Sequence, residues 1–255
     1  MKPDPTRTKT HIKNFENSIK QLITSFWYKT KPQIIQSIID NKQRLGNKNT
    51  LYGQAKVHLS ATDEIQRILD LEEYEEIRIK LRPIIDRYTK HGYEKGAIKG
   101  HKEIKKKGYV EFEYVNAPVD IEAVGVMVDN NFRLIDTATI DMKKHMLRII
   151  STGMLEGESM QNMTKQLNER INIGKYNCER IVRTETIRNY NQAVINQYKK
   201  AGVKYWEWIS ALDERTCELC AGLDGTIHKV GEAQPPTRTH PNCRCSVGAY
   251  FKKEK

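Results

Sequence analysis

The sequence lacks any long apolar run. A helix that spans a bilayer needs roughly 18 or more largely apolar residues. The longest candidate here, Ile34 to Ile39, is broken by Gln36 and Ser37. The basic residues 1–14 are not followed by the apolar stretch that a secretory signal needs. We therefore expect no membrane partner and no oxidising compartment, which is where disulfide frameworks form.

Large apolar side chains are also scarce between Asp213 and Cys245. The large aliphatic residues of that stretch are Leu219, Leu223, Ile227 and Val230. So few apolar groups cannot form an independent core, and a bound metal commonly takes the place of one in such segments. The sequence therefore predicts that this segment folds around something other than its own apolar side chains.

The same segment contains a cluster of cysteine and histidine residues. It reads Cys217-x2-Cys220 and His240-x2-Cys243-x-Cys245, with nineteen residues between Cys220 and His240. Two short-range ligand pairs separated by a loop are typical of a tetrahedral zinc site. Five candidates exceed four coordination positions, so the first pair is joined by two of the other three, and the sequence does not say which two.

Other interpretations of these residues remain open. The cysteines can instead form disulfides or stay as unpaired thiols, although the absence of a secretory signal favours metal. A structural site is favoured over a catalytic one, because no glutamate stands beside the histidine as in known catalytic zinc motifs. His228 is a weaker ligand candidate on a predicted strand. Cys178, on a predicted helix, is expected to be a small buried residue.

Positive charge is concentrated at the N-terminus. Of a formal net charge of +11, residues 1–60 contribute +8, from 11 Lys and Arg against 3 Asp and Glu. Such asymmetry indicates contact with a polyanion, most simply non-specific contact with double-stranded DNA. A solvated lysine-rich surface is the alternative. No motif for sequence-specific reading of nucleic acid is present.

Apolar residues recur with helical spacing through the first two thirds of the chain. Pro32 is expected to begin a second helix, and Thr62 or Asp63 to cap a third, which Pro83 should kink or interrupt. Further helices are expected over residues 84–107 with a break at Gly92, and over 120–128, 132–150, 160–171 and 175–200. Ser159 is a predicted N-cap, Gly174 a predicted break and Gly202 a predicted C-terminal cap.

The period changes after Gly202. Residues 203–210 alternate as in a strand, and residues 226–230 and 246–251 are expected to complete a small sheet. Trp206 and Trp208 share one face and are expected in the core. The predicted fold class is α+β, a mostly helical body with a small β-rich C-terminal lobe stapled by zinc.

The C-terminal third resembles a known family. The residues that carry the resemblance are Arg183-Thr184-Glu185 on a helix, the tryptophan strand, Asp213-x-Arg215-Thr216-Cys217-x2-Cys220-x2-Leu223-x-Gly225, Pro235-Pro236 and His240-Pro241-Asn242-Cys243-Arg244-Cys245. In this order they resemble the phage head morphogenesis family, also called Mu F-like minor head proteins, over roughly residues 140–250. The string HPNCRC together with the upstream CxxC is its most specific part.

The resemblance implies a minor capsid protein with no enzymatic activity. Such a protein associates with the portal or other capsid components and takes part in head assembly, DNA packaging or ejection. It is expected in the host cytoplasm during assembly and then in the head interior of the virion. Residues 118–255 would form the Mu F-like domain, and residues 1–117 a basic helical N-terminal region.

Five further residues are candidates for supporting the zinc site. Arg215 and Arg244 adjoin the cysteine pairs and would offset the charge of thiolate ligands. Asp213 can cap the turn that enters the first pair. Arg183 and Glu185 point to different sides of their helix, and at least one is expected to pack against the cysteine lobe.

Two other functions are kept as alternatives. The first is an enzyme related to ADP-ribosyltransferases, since Arg183 and Glu185 stand two apart, but its strand and loop motifs are missing. The second is a zinc-bearing nucleic-acid module with no role in a capsid. A nuclease of the HNH type is excluded, because the spacing of its ββα motif is absent.

Overall fold

A computed structural model describes residues 9–46, 51–70, 72–106, 120–232 and 239–252 of the chain. Its helices are α1 (Lys9–Gly46), α2 (Leu51–Asp70), α3 (Glu72–Lys106), α4 (Ile121–Leu155), α5 (Met160–Lys200) and α6 (Glu218–Leu223). Its strands are β1 (Tyr205–Ile209), β2 (Ile227–Lys229) and β3 (Ser246–Tyr250). A largely helical chain with a small C-terminal sheet confirms the predicted α+β class.

The helices are longer than their sequence signals suggested. Pro32 lies inside α1 and Pro83 inside α3, so the prediction that Pro32 begins a separate helix is wrong. A proline removes one helical hydrogen bond, and buried neighbours on both sides, such as Phe26 and Ile34 in α1, hold the helix together across that gap. Likewise α2 begins at Leu51, well before the caps predicted at Thr62 or Asp63.

Glycines that were expected to end helices instead allow close packing. Gly174 lies within α5. The two helices predicted on either side of residues 129–131 are also a single helix, α4. A Cβ atom at Gly174 would overlap the sulfur of the buried Met142. Ser159, in contrast, is the predicted N-cap: its hydroxyl accepts a hydrogen bond from the backbone N–H of Asn162 at 3.1 Å. Gly202, at φ +71°, follows the end of α5 as predicted.

The chain divides into two compact units, each built from separate stretches. The sheet-bearing unit comprises Met1–Glu16, Ile84–Asn131 and Arg180–Lys255, and the all-helical unit comprises Asn17–Pro83 and Phe132–Glu179. The domain boundary predicted at residues 117–118 lies outside the described residues.

The all-helical unit has a core of aliphatic, methionine and aromatic side chains. Trp27 is buried and donates its indole N–H to the side chain of Asn168 at 3.0 Å, which satisfies its one polar group. The buried ammonium of Lys143 pairs with Asp70 at 2.7 Å, and that ion pair lowers the pKa of Asp70 against the opposing effect of burial. Charged groups at the edge of this core are therefore matched.

In the sheet-bearing unit, α3 and α5 run parallel and in close contact. The small face of α3 is formed by Gly92, Gly96 and Gly100, at four-residue spacing. A Cβ at Gly96 would overlap the carbonyl oxygen of Tyr190, and one at Gly100 would lie 2.9 Å from the Cβ of Gln197. The predicted helix break at Gly92 is therefore wrong, and α3 continues through this residue.

The sheet has the order β2-β1-β3, and both pairings are antiparallel. Trp206 and Trp208 point inward from β1 and are buried against Tyr190, Val194 and Tyr198 of α5. This confirms their predicted place in the core. Within the described residues, no helix is long and apolar enough to cross a membrane.

We predict that Gly96→Ala lowers the free energy of unfolding by about 1–3 kcal/mol, because its methyl group forces two helix backbones apart. Gly125→Ala is the matched control, since Gly125 is also in a helix but has nothing within 4 Å of its Cβ position. The control should be stabilised by up to about 1 kcal/mol. Urea unfolding followed by circular dichroism measures both, and equal effects would contradict the close packing of α3 on α5.

Candidate metal centre

The inner face of β1 leads directly to the cysteine cluster. Ser210 follows the two buried tryptophans and is itself fully buried. Its hydroxyl donates to the carbonyl of Cys220 at 2.6 Å and accepts from the indole N–H of Trp208 at 3.2 Å. The same oxygen is 3.4 Å from the sulfur of Cys245. Ser210 therefore joins the sheet to both cysteine pairs.

The first cysteine pair lies at the start of the short helix α6. Cys217 is its N-cap, with extended backbone, and its sulfur accepts from the backbone N–H of Cys220 at 3.4 Å. Upstream, the Asp213 carboxylate accepts from the backbone N–H of Arg215 at 3.1 Å and from the hydroxyl of Thr216 at 3.2 Å. These contacts shape the turn that brings the chain into the pair.

The second pair is held against α5 by backbone hydrogen bonds. Asn242 has a left-handed backbone, at φ +61°, and donates its N–H to the hydroxyl of the buried Thr184 at 3.0 Å. The carbonyl of Cys245 accepts from the side chain of Asn191 at 3.0 Å. Two side chains of α5 thus fix the HPNCRC loop at both ends of its cysteine segment.

The donor atoms of the two pairs lie close together. The Nε2 atom of His240 is 3.4 Å from the sulfur of Cys217 and 3.1 Å from that of Cys220. The sulfur of Cys220 is 3.8 Å from that of Cys243. Within the described residues, two sets of three donors lie within 4.8 Å of one another: Cys217, Cys220 and His240, and Cys220, Cys243 and Cys245. Cys220 belongs to both.

The tautomer of His240 suits a metal ligand. Its Nδ1 atom lies 2.8 Å from the carbonyl oxygen of Pro241. A carbonyl can only accept a hydrogen bond, so Nδ1 carries a proton, and in the neutral ring Nε2 then has the lone pair that a metal requires. Histidines that bind metals are commonly oriented in this way by a second hydrogen bond.

The spacing of the donors fits a tetrahedral ion. Zinc–sulfur bonds of about 2.3 Å and zinc–nitrogen bonds of about 2.0 Å put neighbouring ligand atoms about 3.5–3.8 Å apart. The sulfur–sulfur separation of 3.8 Å lies in this range, and the two nitrogen–sulfur separations, 3.1 and 3.4 Å, are slightly shorter. A space of about 20 Å³ lies at the cluster, which is room for one ion. The cluster can therefore hold a metal ion.

All five cysteines are described, and each is a free thiol. The alternative of a disulfide framework therefore finds no support in this geometry. Cys178 is buried and belongs to neither donor set of the cluster, and burial raises the pKa of its thiol to about 12. It is the small buried residue that the sequence predicted.

Hydrogen bonding and burial act differently on the clustered thiols. A hydrogen bond from Cys243 lowers the pKa of Cys245 to about 6, against the opposing effect of burial. The same bond, followed by burial, raises the pKa of Cys243, and burial raises that of Cys220 to about 12. Metal ligands must be thiolates. A cation bound at the cluster would favour the charged form of Cys220, which burial opposes.

The two arginines beside the cysteine pairs differ in their surroundings. The guanidinium of Arg244 donates two hydrogen bonds to Asp213, one of them at 2.6 Å, and both side chains are largely buried. This pairing holds the pKa of Asp213 well below its usual range. The side chain of Arg215 is 62% exposed, with its nearest nitrogen 3.5 Å from the same carboxylate. Arg244 therefore joins the two pairs, whereas Arg215 remains at the surface.

The residues of the Arg-Thr-Glu string contact different parts of the unit. Arg183 donates to the Glu16 carboxylate at 2.7 and 3.0 Å, and Glu185, which is buried, accepts from Arg188 at 2.7 Å. Thr184 between them bonds to the HPNCRC loop. That at least one of Arg183 and Glu185 packs against the lobe remains a prediction.

Sequence reasoning did not identify Thr184, Asn191 or Ser210 as parts of this site. Ser210 had a usable signal, because it is the third inward position of the strand that begins with the two tryptophans. Thr184 and Asn191 lie seven residues apart, or two helical turns, and so share one face of α5. His228 is in neither donor set; it stacks on Trp206 with 4.5 Å between ring centroids.

The protein is therefore mostly helical, with a small sheet that carries a cluster of cysteine and histidine residues. Residues 144–248 match the family model described as Phage Mu protein F like protein. The match begins in α4 and includes α5, both cysteine pairs and most of β3. This part of the chain is similar to the phage Mu protein F-like family, as the resemblance indicated, and that family suggests a phage head protein.

An uncharacterized protein from Haemophilus influenzae is similar to part of the chain. The two are 27% identical over 138 residues, which is 51% of this chain and 30% of the relative. The matched region thus spans less than a third of that relative's length. No solved structure matches the chain.

We predict that Thr184→Val lowers the free energy of unfolding by about 1–3 kcal/mol, because it leaves the N–H of Asn242 without its acceptor. Thr137→Val is the matched control. Both hydroxyls also bond to the carbonyl four residues earlier, but Thr137 is exposed, and its change should stay within about 0.5 kcal/mol. Urea unfolding of both variants is the measurement, and equal effects would show that the loop does not depend on this hydrogen bond.

Proposed function

We propose that the protein is a minor head component of a phage that contacts the portal or the capsid interior. It would take part in head assembly and in packaging or ejection of DNA, in the host cytoplasm during assembly and then in the virion. The single observation that carries the proposal is the assembly of both cysteine pairs against α5, within the matched residues 144–248. Residues 118–255 would be the Mu F-like domain, and residues 1–117 a basic helical region.

The proposed role of the metal is structural, and zinc is the proposed ion. The segment that contains the cysteines has few large apolar residues, and Leu219 and Ile227 among them are exposed. Their burial cannot stabilise the loop between the two pairs. A structural zinc contributes about 10–16 kcal/mol in finger peptides near neutral pH. One ion would therefore hold together two stretches that are separated by nineteen residues.

We propose Cys217, Cys220, His240 and Cys245 as the four ligands. These residues line the space at the centre of the cluster, and among the described residues Cys243 is not part of that lining. Cys243 would instead support Cys245 by hydrogen bonding. Arg244 and Asp213 would tie the two pairs together outside the ligand set, while Arg215 would remain at the surface.

Metal analysis of the purified protein tests this choice of ligands. One zinc per chain is expected for the wild type, and Cys217→Ser/Cys220→Ser should lose it. Cys245→Ser should lower zinc occupancy strongly, whereas Cys243→Ser should retain about one zinc with weaker binding, since second-shell changes cost about 10–100-fold in affinity. Chelation of the metal should lower the melting temperature of the wild type and leave that of the double variant unchanged.

If Cys243→Ser lowers zinc occupancy more than Cys245→Ser does, Cys243 rather than Cys245 is the fourth ligand. Absence of zinc from the wild type, with no change in melting on chelation, would contradict a metal site altogether. Cys178→Ser is the control, because Cys178 is a buried thiol remote from the cluster in sequence and outside both donor sets.

The proposed role is not enzymatic. The arginine and glutamate that suggested an ADP-ribosyltransferase are engaged in ion pairs, Arg183 with Glu16 and Glu185 with Arg188. The Glu185 side chain is 7% exposed, so its carboxylate is not open to a nucleotide substrate. NAD hydrolysis by the purified protein would overturn this part of the proposal.

The role in the head is tested in the phage or lysogen that encodes the chain. We predict that purified heads contain the protein, and that portal rings isolated from infected cells retain it. Deletion of its gene should lower the yield of infectious particles at least tenfold, and wild-type protein supplied in trans should restore that yield. The variant Cys217→Ser/Cys220→Ser should restore it poorly.

Absence of the protein from purified heads and from portal rings would contradict the proposed function. In that case a zinc-bearing nucleic-acid module outside the capsid becomes the better description. Thr137→Val, which changes an exposed helical site, serves as the complementation control and should restore the yield fully.

A further inference from the structure

Exposed lysines are concentrated at one end of the sheet-bearing unit. They lie on α3 and α5 and on or next to the three strands, and we call this set of residues the lysine face. Its members are Lys102, Lys105 and Lys106 near the end of α3, Lys199 and Lys200 at the end of α5, Lys204 before β1, Lys229 on β2 and Lys252 after β3.

The helical members meet because α3 and α5 run parallel. Gly96 lies against Tyr190, and Gly100 against Gln197, so both chains advance in the same direction. Near their ends, the Glu103 carboxylate of α3 accepts a hydrogen bond from the hydroxyl of Tyr198. The C-terminal lysines of the two helices therefore emerge side by side.

The strand members emerge at the same end. Glu103 also accepts the backbone N–H of Ala249 at 3.3 Å, which places the end of β3 beside α3. Tyr205, the first residue of β1, stands opposite Lys229 and Tyr250 in the two pairings. The ammonium of Lys252 lies 5.2 Å from the centre of the Tyr205 ring. Only residues 201–203 separate Lys200 from Lys204.

In the part of the chain that the structure describes, two acidic side chains near these lysines are already engaged. Glu103 accepts the two hydrogen bonds described above and pairs with Lys99 at 3.5 Å, and Glu232 pairs with Lys229 at 3.2 Å. Exposed Glu214 and Glu218 lie beyond the opposite end of β1, around the cysteine cluster. Among the described side chains, positive charge therefore exceeds negative charge at the end of the sheet that carries the lysine face.

The helix dipole accounts for only part of this arrangement. Lysines in the last turn of a helix are favoured by the partial negative charge there, which explains Lys105, Lys106, Lys199 and Lys200. It does not explain Lys204, Lys229 and Lys252, because strands have little net dipole. Their position at the same end is consistent with a positive surface that contacts a polyanion.

We propose that the lysine face binds the phosphate backbone of double-stranded DNA. This inference rests on the proposed role in a phage head, where DNA is the abundant polyanion. Lysines supply point charges to phosphates, and the hydroxyls of Tyr205 and Tyr250, on the outer side of the sheet, can donate to phosphate or sugar oxygens. Binding is independent of base sequence and weakens as salt rises. The proposed DNA-binding surface is different from residues 1–60, which the charge distribution of the sequence indicated as the contact region.

Binding of the full-length, zinc-loaded protein to a fluorescent 30-base-pair duplex tests the proposal. The test variant is Lys199→Gln/Lys200→Gln/Lys204→Gln, and Lys229→Gln/Lys252→Gln is a second, independent variant. The matched control is Lys13→Gln/Lys29→Gln/Arg44→Gln, which removes the same charge from exposed positions of α1. The test variant should bind about tenfold or more weakly at 0.1 M salt, and its salt slope should fall by about 2–3.

The control variant should bind about as well as the wild type, and all variants should keep the melting temperature and zinc content of the wild type. Equal loss in test and control would mean that net charge alone governs binding, and loss confined to the control would place the surface on α1. Either result overturns the proposal. A third result also overturns it: if the test variant still binds DNA but no longer remains on portal rings, the lysine face is a protein-binding surface.

The outcomes also separate this inference from the proposed function. Protein found in heads, together with unchanged DNA binding by the test variant, refutes the lysine face alone. Protein absent from heads, together with weakened binding by the test variant, refutes the head role and leaves the DNA surface standing.

Discussion

The burial of the inner face of β1 against α5 is the constraint on which the C-terminal lobe depends. Trp206 and Trp208 fix the strand on the helix, and the next inward residue, Ser210, reaches both cysteine pairs with its one hydroxyl. Because a strand alternates its side chains strictly, shifting β1 by one residue would turn the tryptophans outward and Ser210 away from the cluster. The position of the candidate metal centre follows from this packing.

The helix α5 organises the lobe from two directions. Thr184 accepts a hydrogen bond from the HPNCRC loop, and Asn191 donates one to it. Tyr190 packs against Gly96 of α3. The same helix therefore holds the second cysteine pair in place and packs along the parallel α3. The cysteine cluster and the lysine face lie at opposite ends of the same small sheet.

Sequence reasoning identified the chemistry of the site better than its architecture. The five metal-ligand candidates were found because ligand spacing is local, and the strands were found because alternation is local. Pro32, Gly92 and Gly174 were misread as helix boundaries, since local propensity says nothing about a neighbouring helix that packs on the gap or requires it. The supporting roles were resolved only by contacts: Arg244 and Arg215 read alike in sequence, yet one pairs with Asp213 while the other is exposed.

By itself, the sequence determined the fold class, the Mu F-like signature and the set of residues able to bind a metal, because each depends on residue type and short-range spacing. The tertiary structure was needed to show that the two cysteine pairs meet at Cys220, that Thr184 bonds to the loop, and that scattered lysines emerge at one end of the sheet. These features depend on contacts between residues far apart in the chain, which arise only when apolar faces bury each other and bring separate stretches together.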